Sequence, residues 1–272
     1  MLTPYGLVIW ERTLGMAKSL FGRAVKRALK ATEHSREELA YHVLPAFFLD
    51  IITRYLRVRT DGVSHIPKKG PCIIISNHSG YMGFDALMLG HQVFHATKRI
   101  PHIIAHKLWF IRPEISVRAS KLGLVPATYQ NGLEVLERGE PLLLFPEGEE
   151  GNFKPTSHRY RLRRFRRGFI RLALATGAPI VPAFVIGAEE THITLSQIRW
   201  AKQIVGIIVP VPLNVLPLPA KWRIKFLKPI RLGKDPEKAK DMAYVTKLSK
   251  DIRLKLQREM HAQLRKRKRV FI

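Results

Sequence analysis

The chain has 272 residues, with 47 Lys+Arg against 21 Asp+Glu, for a formal net charge of +26. Hydrophobic residues make up 46% and charged residues 25%, a globular balance that excludes wholesale disorder. One cysteine, Cys72, excludes an intramolecular disulfide framework and a cysteine-built metal site. No run of about 18 uninterrupted apolar residues occurs, so no ordinary spanning helix is expected. Glu11 and Arg12 break the early apolar residues, so no cleavable secretion signal is expected and a cytoplasm-facing location follows. The excess of positive charge points to a phosphate-bearing partner: nucleic acid, anionic lipid or a phosphorylated substrate.

Leu7, Trp10, Leu14, Ala17, Phe21, Val25 and Ala28 recur at helical spacing, with Arg12, Lys18, Arg23, Lys26, Arg27 and Lys30 on much of the remainder. Such a basic amphipathic helix fits either a membrane interface or the domain's own core. Ser35-Arg36-Glu37-Glu38 reads as a capping box opening a second helix, which Pro45 would kink or restart. From Arg57 short apolar runs alternate with helical patterns. Strands are predicted at 72–75, 100–105, 122–125, 142–145 and 180–186, and helices from Asp85, over 131–137 and over 165–176. Continuous apolar strands separated by helices imply an α/β fold with a largely parallel sheet covered on both faces. Gly206 to Ala220 carries Pro210, Pro212, Pro217 and Pro219, which excludes a regular helix or a central strand there. A late strand is predicted at 222–226. Asp235-Pro236 then signals a helix running toward the basic cluster 265–269, which reads as a solvated tail.

Three segments end strands with polar groups, and ligands of open parallel sheets gather at carboxyl strand ends. In Ser76-Asn77-His78-Ser79-Gly80-Tyr81-Met82-Gly83-Phe84-Asp85, a strand delivers a histidine and an aspartate opens the next helix. A neutral imidazole can accept a hydroxyl proton, and a carboxylate on its other nitrogen fixes the tautomer. Asp85 could equally cap backbone N–H groups at the helix start. The second segment is Phe145-Pro146-Glu147-Gly148-Glu149-Glu150, and the third is Pro179-Ile180-Val181-Pro182 with its glycine turn at Gly187.

In this order and spread, Asn-His…Asp, Phe-Pro-Glu-Gly and Pro-Ile-Val-Pro resemble the glycerolipid (lysophospholipid) acyltransferase superfamily, over roughly residues 57–232. The resemblance implies transfer of an acyl group from acyl-CoA or acyl carrier protein to a hydroxyl of a glycerolipid or lysophospholipid. It implies His78 as general base, Asp85 as its partner, and Asn77 as support for the loop. Glu147 and Gly148 would line the acceptor site, with no metal and no cofactor beyond the acyl donor. Lys154, nearest the motif, is read as a substrate contact, and the arginine run 158–167 as a cradle for CoA phosphates or lipid headgroups. The family's motif usually separates histidine and aspartate by four residues, whereas six separate His78 from Asp85, so the loop must fold back, eased by Gly80 and Gly83. That spacing is similar to the monoacylglycerol acyltransferase-like branch. Members using glycerol phosphates typically place an arginine after the next strand. Leu122 to Thr128 ends without one, which favours a neutral or unusual acceptor over lysophosphatidic acid.

The expected organisation is an amphipathic helical segment (1–56), an acyltransferase domain (57–232), and a C-terminal helix with basic tail (233–272). The expected partner is an anionic membrane surface, bound peripherally or monotopically on the cytoplasmic face, and no nucleic acid. Two rivals remain: a catalytically weak membrane scaffold of the same fold, and a basic nucleic-acid-binding protein.

Overall fold

A computed structural model describes residues 39–79 and 83–271. The predicted helix over Leu7–Ala28, the capping box at Ser35 and the loop glycine Gly80 lie outside them. Helix α1 (Leu44–Tyr55) carries Pro45 in its first turn, where a missing N–H costs nothing, so the proline restarts the helix. A short strand β1 (Arg59–Asp61) follows, unforeseen from sequence because three polar residues give no apolar signal. Then come β2 (Cys72–Ile75), α2 (Phe84–Thr97), β3 (His102–Ala105), α3 (Pro113–Lys121), β4 (Leu124–Pro126), α4 (Tyr129–Glu137) and β5 (Pro141–Leu144). After α5 (Gly168–Thr176), β6 (Ile180–Ile186) leads to a ribbon of β7 (Thr194–Ile198) and β8 (Val209–Pro212), then β9 (Arg223–Phe226) and α6 (Met242–Arg265).

Seven strands form one sheet in the order β1-β9-β6-β2-β5-β3-β4, with every pairing parallel except β6 with β9. The central strands β2, β5 and β6 are buried along their whole length because alternate residues feed two separate cores. Ile73, Ile75, Leu142, Ile180 and Phe184 pack with residues of α4, α5 and α6 on one face. Cys72, Ile74, Leu143, Val181 and Phe226 pack with Met88, Leu89 and Val93 of α2 on the other. This period-two division explains why runs without a polar residue were strands covered on both sides.

Two helices start later in the chain than predicted. The helix signalled at Asp235-Pro236 is a turn, in which Asp235 accepts the Lys238 N–H at 3.0 Å. Asp241 is the effective cap, accepting from Ala243 and Tyr244 at 2.9 and 3.0 Å. The helix predicted from Phe165 begins at Gly168, because the preceding arm spends its N–H groups elsewhere. Leu162 donates to Gln257 Oε1 at 2.7 Å and Arg166 donates to the Pro146 carbonyl at 2.8 Å. The proline-bearing stretch after Gly206 supplies β8, which pairs only with β7, so its missing donors fall on an open edge.

Gly187 closes β6 at a φ of 111°, where a methyl group would sit 2.6 Å from the Lys221 carbonyl oxygen and 2.8 Å from Trp222 Cδ1. Gly187→Ala should therefore combine left-handed strain of about 1–2 kcal/mol with an overpacking cost of about 1–3 kcal/mol. Gly70→Ala, where a methyl meets nothing within 4 Å, should cost only the strain. Paired denaturant melts of the two variants check this difference.

Candidate active site

Strands β5, β2 and β6 are adjacent and parallel, so their carboxyl ends deliver three loops to one edge. Asn77 fastens the first loop to β6. Its side chain donates to the Val185 carbonyl at 3.0 Å and accepts the Val185 N–H at 2.8 Å, imitating a ladder pair where β2 has ended. His78 then leaves the strand with its ring stacked on Phe145, centroids 4.1 Å apart.

His78 Nδ1 and Asp85 Oδ2 are 2.7 Å apart, and the same oxygen accepts the Ser79 N–H at 2.7 Å. Asp85 is fully buried, whereas the His78 side chain keeps 16% of its surface open. The six-residue spacing thus does not hold the pair apart. Gly83, at a φ of 71°, turns the chain into α2, which begins with Asp85 in its first turn. The other Asp85 oxygen accepts the Ala86 N–H at 2.9 Å, so one carboxylate both orients the imidazole and serves the helix end.

Glu147 lies beneath this pair. Its Oε1 accepts the His78 N–H at 3.1 Å and its Oε2 accepts the Arg163 N–H at 2.6 Å. Both oxygens are engaged inside the protein, so the carboxylate that resemblance placed at the acceptor site holds backbone here. Gly148 follows with φ 59° and ψ −150°, and a Cβ there would stand 3.2 Å from the Arg166 guanidinium carbon. Lys154 stands beside the motif in space as well as in sequence. It is buried, with Nζ 2.7 Å from Glu189 and 3.8 Å from Glu147, and its charge is spent internally. Burial alone would lower the Lys154 pKa, yet Glu189 and Glu147 outweigh it and hold the ammonium above its ordinary value.

Glu189 was not singled out from sequence, although two glutamates directly after the Gly187 turn were its visible signal. Burial raises its carboxyl from 4.5 to about 7, against the pull of Lys154 and the Tyr160 N–H. Beside it, the Tyr160 hydroxyl donates to Glu190, and Arg267 bonds Glu190 at 2.8 Å. Arg267 therefore departs from the solvated tail expected for 265–269. On the outer side a cleft of about 530 Å³ is lined by Arg163, Arg164, Arg166, Arg167 and Arg199, with Glu147 at its base. The arginine run is an extended arm forming a wall of this cleft. Among the described residues, Asp50, His91 and His95 also lie together, on α1 and α2, their ligand atoms within 4.8 Å of one another. His102 pairs with Glu140 at 2.5 Å.

Residues 57–186 match the family model described as Acyltransferase. An uncharacterized protein of Mycobacterium tuberculosis is 35% identical over 230 residues, covering 80% of this chain and 64% of that protein. The chain thus spans less than two thirds of that relative's length. A chloroplastic 1-acyl-sn-glycerol-3-phosphate acyltransferase of Brassica napus is 26% identical, over 54% of this chain and 42% of the relative. The fold matches the crystal structure of the 1-acyl-sn-glycerophosphate acyltransferase PlsC from Thermotoga maritima with a TM-score of 0.53 at 17% identity, covering 96% and 95% of the two chains. The largely parallel α/β sheet carries these motifs at its carboxyl edge, inside the region that the Acyltransferase family model matches. Residues 57–186 are thus similar to the acyltransferase family, and the named relatives place that similarity with the glycerolipid acyltransferases.

The raised Glu189 pKa has a stability consequence of fixed sign. The folded state keeps a proton that the unfolded chain releases above 4.5, so this group's contribution to stability falls as pH rises from about 4.5 to about 7. A Glu189→Gln variant has no such slope. Its melting temperature relative to wild type should rise across that window, as thermal melts at stepped pH would record.

Proposed function

We propose that this protein moves a fatty acyl group from acyl-CoA or acyl carrier protein to a lipid hydroxyl at an anionic membrane surface, with His78 as general base. The observation carrying this reading is the His78–Asp85 pair, 2.7 Å apart at a strand edge with His78 partly open. Asp85 occupies Nδ1, so Nε2 is the nitrogen that takes the acceptor's proton. The freed hydroxyl oxygen attacks the thioester carbonyl, a C–O bond forms, the C–S bond breaks, and the departing thiolate recovers the proton from the imidazolium. Asp85 orients the ring and offsets its developing charge. A direct transfer needs no acyl-enzyme, and the sequence has no Gly-x-Ser-x-Gly elbow.

Asn77 and Glu147 act as positioning residues, fixing the backbone on either side of His78. The arginine-lined cleft suits a phosphate-bearing group, on the donor or on the lipid, because guanidinium forks match phosphate oxygens. Peripheral binding at the cytoplasmic face fits the net charge of +26. No helix among the described residues is long and apolar enough to cross a membrane.

Thiol release from palmitoyl-CoA or a palmitoylated carrier protein, with a panel of phosphorylated and neutral lipid acceptors, tests the reading. Acceptor-dependent release should fall by about 10²–10⁴-fold in His78→Ala and substantially in Asp85→Asn, both folded. Release that persists in His78→Ala, or depends on no acceptor, would refute it. Arg166→Gln should raise KM for the phosphate-bearing substrate by roughly tenfold with little change in kcat. Salt titration of wild type should reproduce that trend.

A further inference from the structure

The ribbon between β6 and β9 turns polar side chains to the site and apolar ones to solvent. Its turn, residues 199–208 between β7 and β8, is bound to the site. Arg199 Nη2 lies 2.9 Å from Glu150, Lys202 pairs with Glu149, and the Ile208 N–H donates to Glu149 at 3.2 Å. Asn214 anchors the return limb, accepting the Ile193 N–H at 2.8 Å and donating to the Thr191 carbonyl at 3.0 Å. Tyr55 donates to the Pro217 carbonyl at 2.7 Å. These bonds make the excursion a built element.

Outward, the same segment shows Leu195, Trp200, Ile204, Leu213, Val215 and Leu216, with Trp200 67%, Ile204 75% and Leu216 81% exposed. So many large exposed apolar side chains on one short excursion mark a contact surface. Tryptophan with leucine and isoleucine on a segment that borders an arginine-lined cleft is the composition of a lipid interface, where amphipathic rings sit at headgroup level and cations meet lipid phosphates. Arg199 belongs to both parts, because it also lines the arginine cleft. A two-stranded ribbon keeps two open edges whose backbone groups need water or headgroups, which limits insertion to the headgroup–acyl boundary.

We propose that the ribbon 194–216 is an interfacial anchor that seats in an anionic bilayer and holds the arginine cleft at the level of the lipid headgroups. This rests on the membrane-surface reading above and adds to it the element that makes contact. The partner is a lipid surface, on charge complementarity: the cleft that the ribbon borders presents Arg163, Arg164, Arg166 and Arg167, and the chain carries +26.

Cys72 is the only cysteine and is fully buried, so a thiol placed in the ribbon takes a label selectively. Full-length Ile204→Cys and, on α6, Lys250→Cys would carry an environment-sensitive fluorophore. Each would be mixed with vesicles of phosphatidylcholine and phosphatidylglycerol bearing a nitroxide high on the acyl chain. The label at 204 should shift to the blue and be quenched, and the label at 250 should do neither. Flotation with the vesicles while the label at 204 stays water-like would overturn the ribbon proposal and leave the membrane reading standing. A protein that does not float at all would remove both.

A triple variant, Trp200→Ser, Ile204→Ser and Leu216→Ser, should lower the vesicle partition coefficient roughly tenfold or more. It should keep transfer to a detergent-dispersed acceptor, which also shows that it folds. Unchanged partition would count against the anchor. Sedimentation without lipid supplies the last arm: a dimer that the triple variant abolishes would assign the patch to a second copy of the chain and overturn a lipid role.

Discussion

Glu147 carries a buried carboxylate whose two oxygens accept backbone N–H groups from different elements, His78 at 3.1 Å and Arg163 at 2.6 Å. One side chain thereby fixes the strand-end loop that presents the imidazole and the arm that presents the guanidiniums. Asn77 supplies the second fixed point by gripping Val185 on β6. With the backbone held at both ends, the His78 ring has only its side-chain torsions left, and Asp85 and Phe145 settle those. The site's precision comes from buried polar groups bonding to backbone, while the apolar strands supply the rigid edge on which they stand.

A buried carboxylate demands compensation, and here it extends in a chain. Lys154 lies between Glu147 and Glu189, and Glu189 also accepts the Tyr160 N–H at 2.5 Å. Tyr160 and Arg267 continue the network to Glu190. Removing one member strands a charge away from water, an effect of about 3–5 kcal/mol for a broken buried pair. The residues that ended the Phe-Pro-Glu-Gly loop, the β6 turn and the C-terminal segment are thus one electrostatic unit. Arg267 reaches it because α6 packs Val245, Ile252, Leu256 and Met260 into the core beneath.

What the sequence made legible follows the same division. Runs such as Cys72–Ile75 and Leu142–Leu144 announced buried parallel strands because both faces of a covered sheet demand apolar side chains. The strand-end motifs were legible because their residue types are costly anywhere except at a site. Pairings set by distant packing were not. Lys154 reads as a substrate contact from its place in the chain; its ion-pair partner Glu189 is 35 residues away, and the parallel β5–β2 and β2–β6 pairings together bring the two loops to one edge. The arm at 159–167 has helical composition, yet it lies extended because Gln257 on α6 and Glu147 bind its backbone first. β7 went unseen because Leu195 and Ile198 are too few apolar residues to mark a strand before its partner is known.

The acidic pair after Gly148 poses an electrostatic difficulty that the fold itself resolves. Glu149 and Glu150 stand next to a cleft suited to phosphate, where two carboxylates would repel an anionic ligand. The ribbon meets both of them. Arg199 takes Glu150, and Lys202 with the Ile208 N–H takes Glu149. Burial by itself would raise the Glu149 carboxyl, but these partners outweigh it and hold its pKa below the ordinary value, so the group stays ionised and paired. Neutralising two carboxylates at the cleft's rim leaves the arginines of the arm as its net charge. The ribbon thus acts on the site through charge as well as through any surface it presents. A chain lacking Arg199 and Lys202 would keep its histidine–aspartate pair intact and still present a less attractive cleft to phosphate.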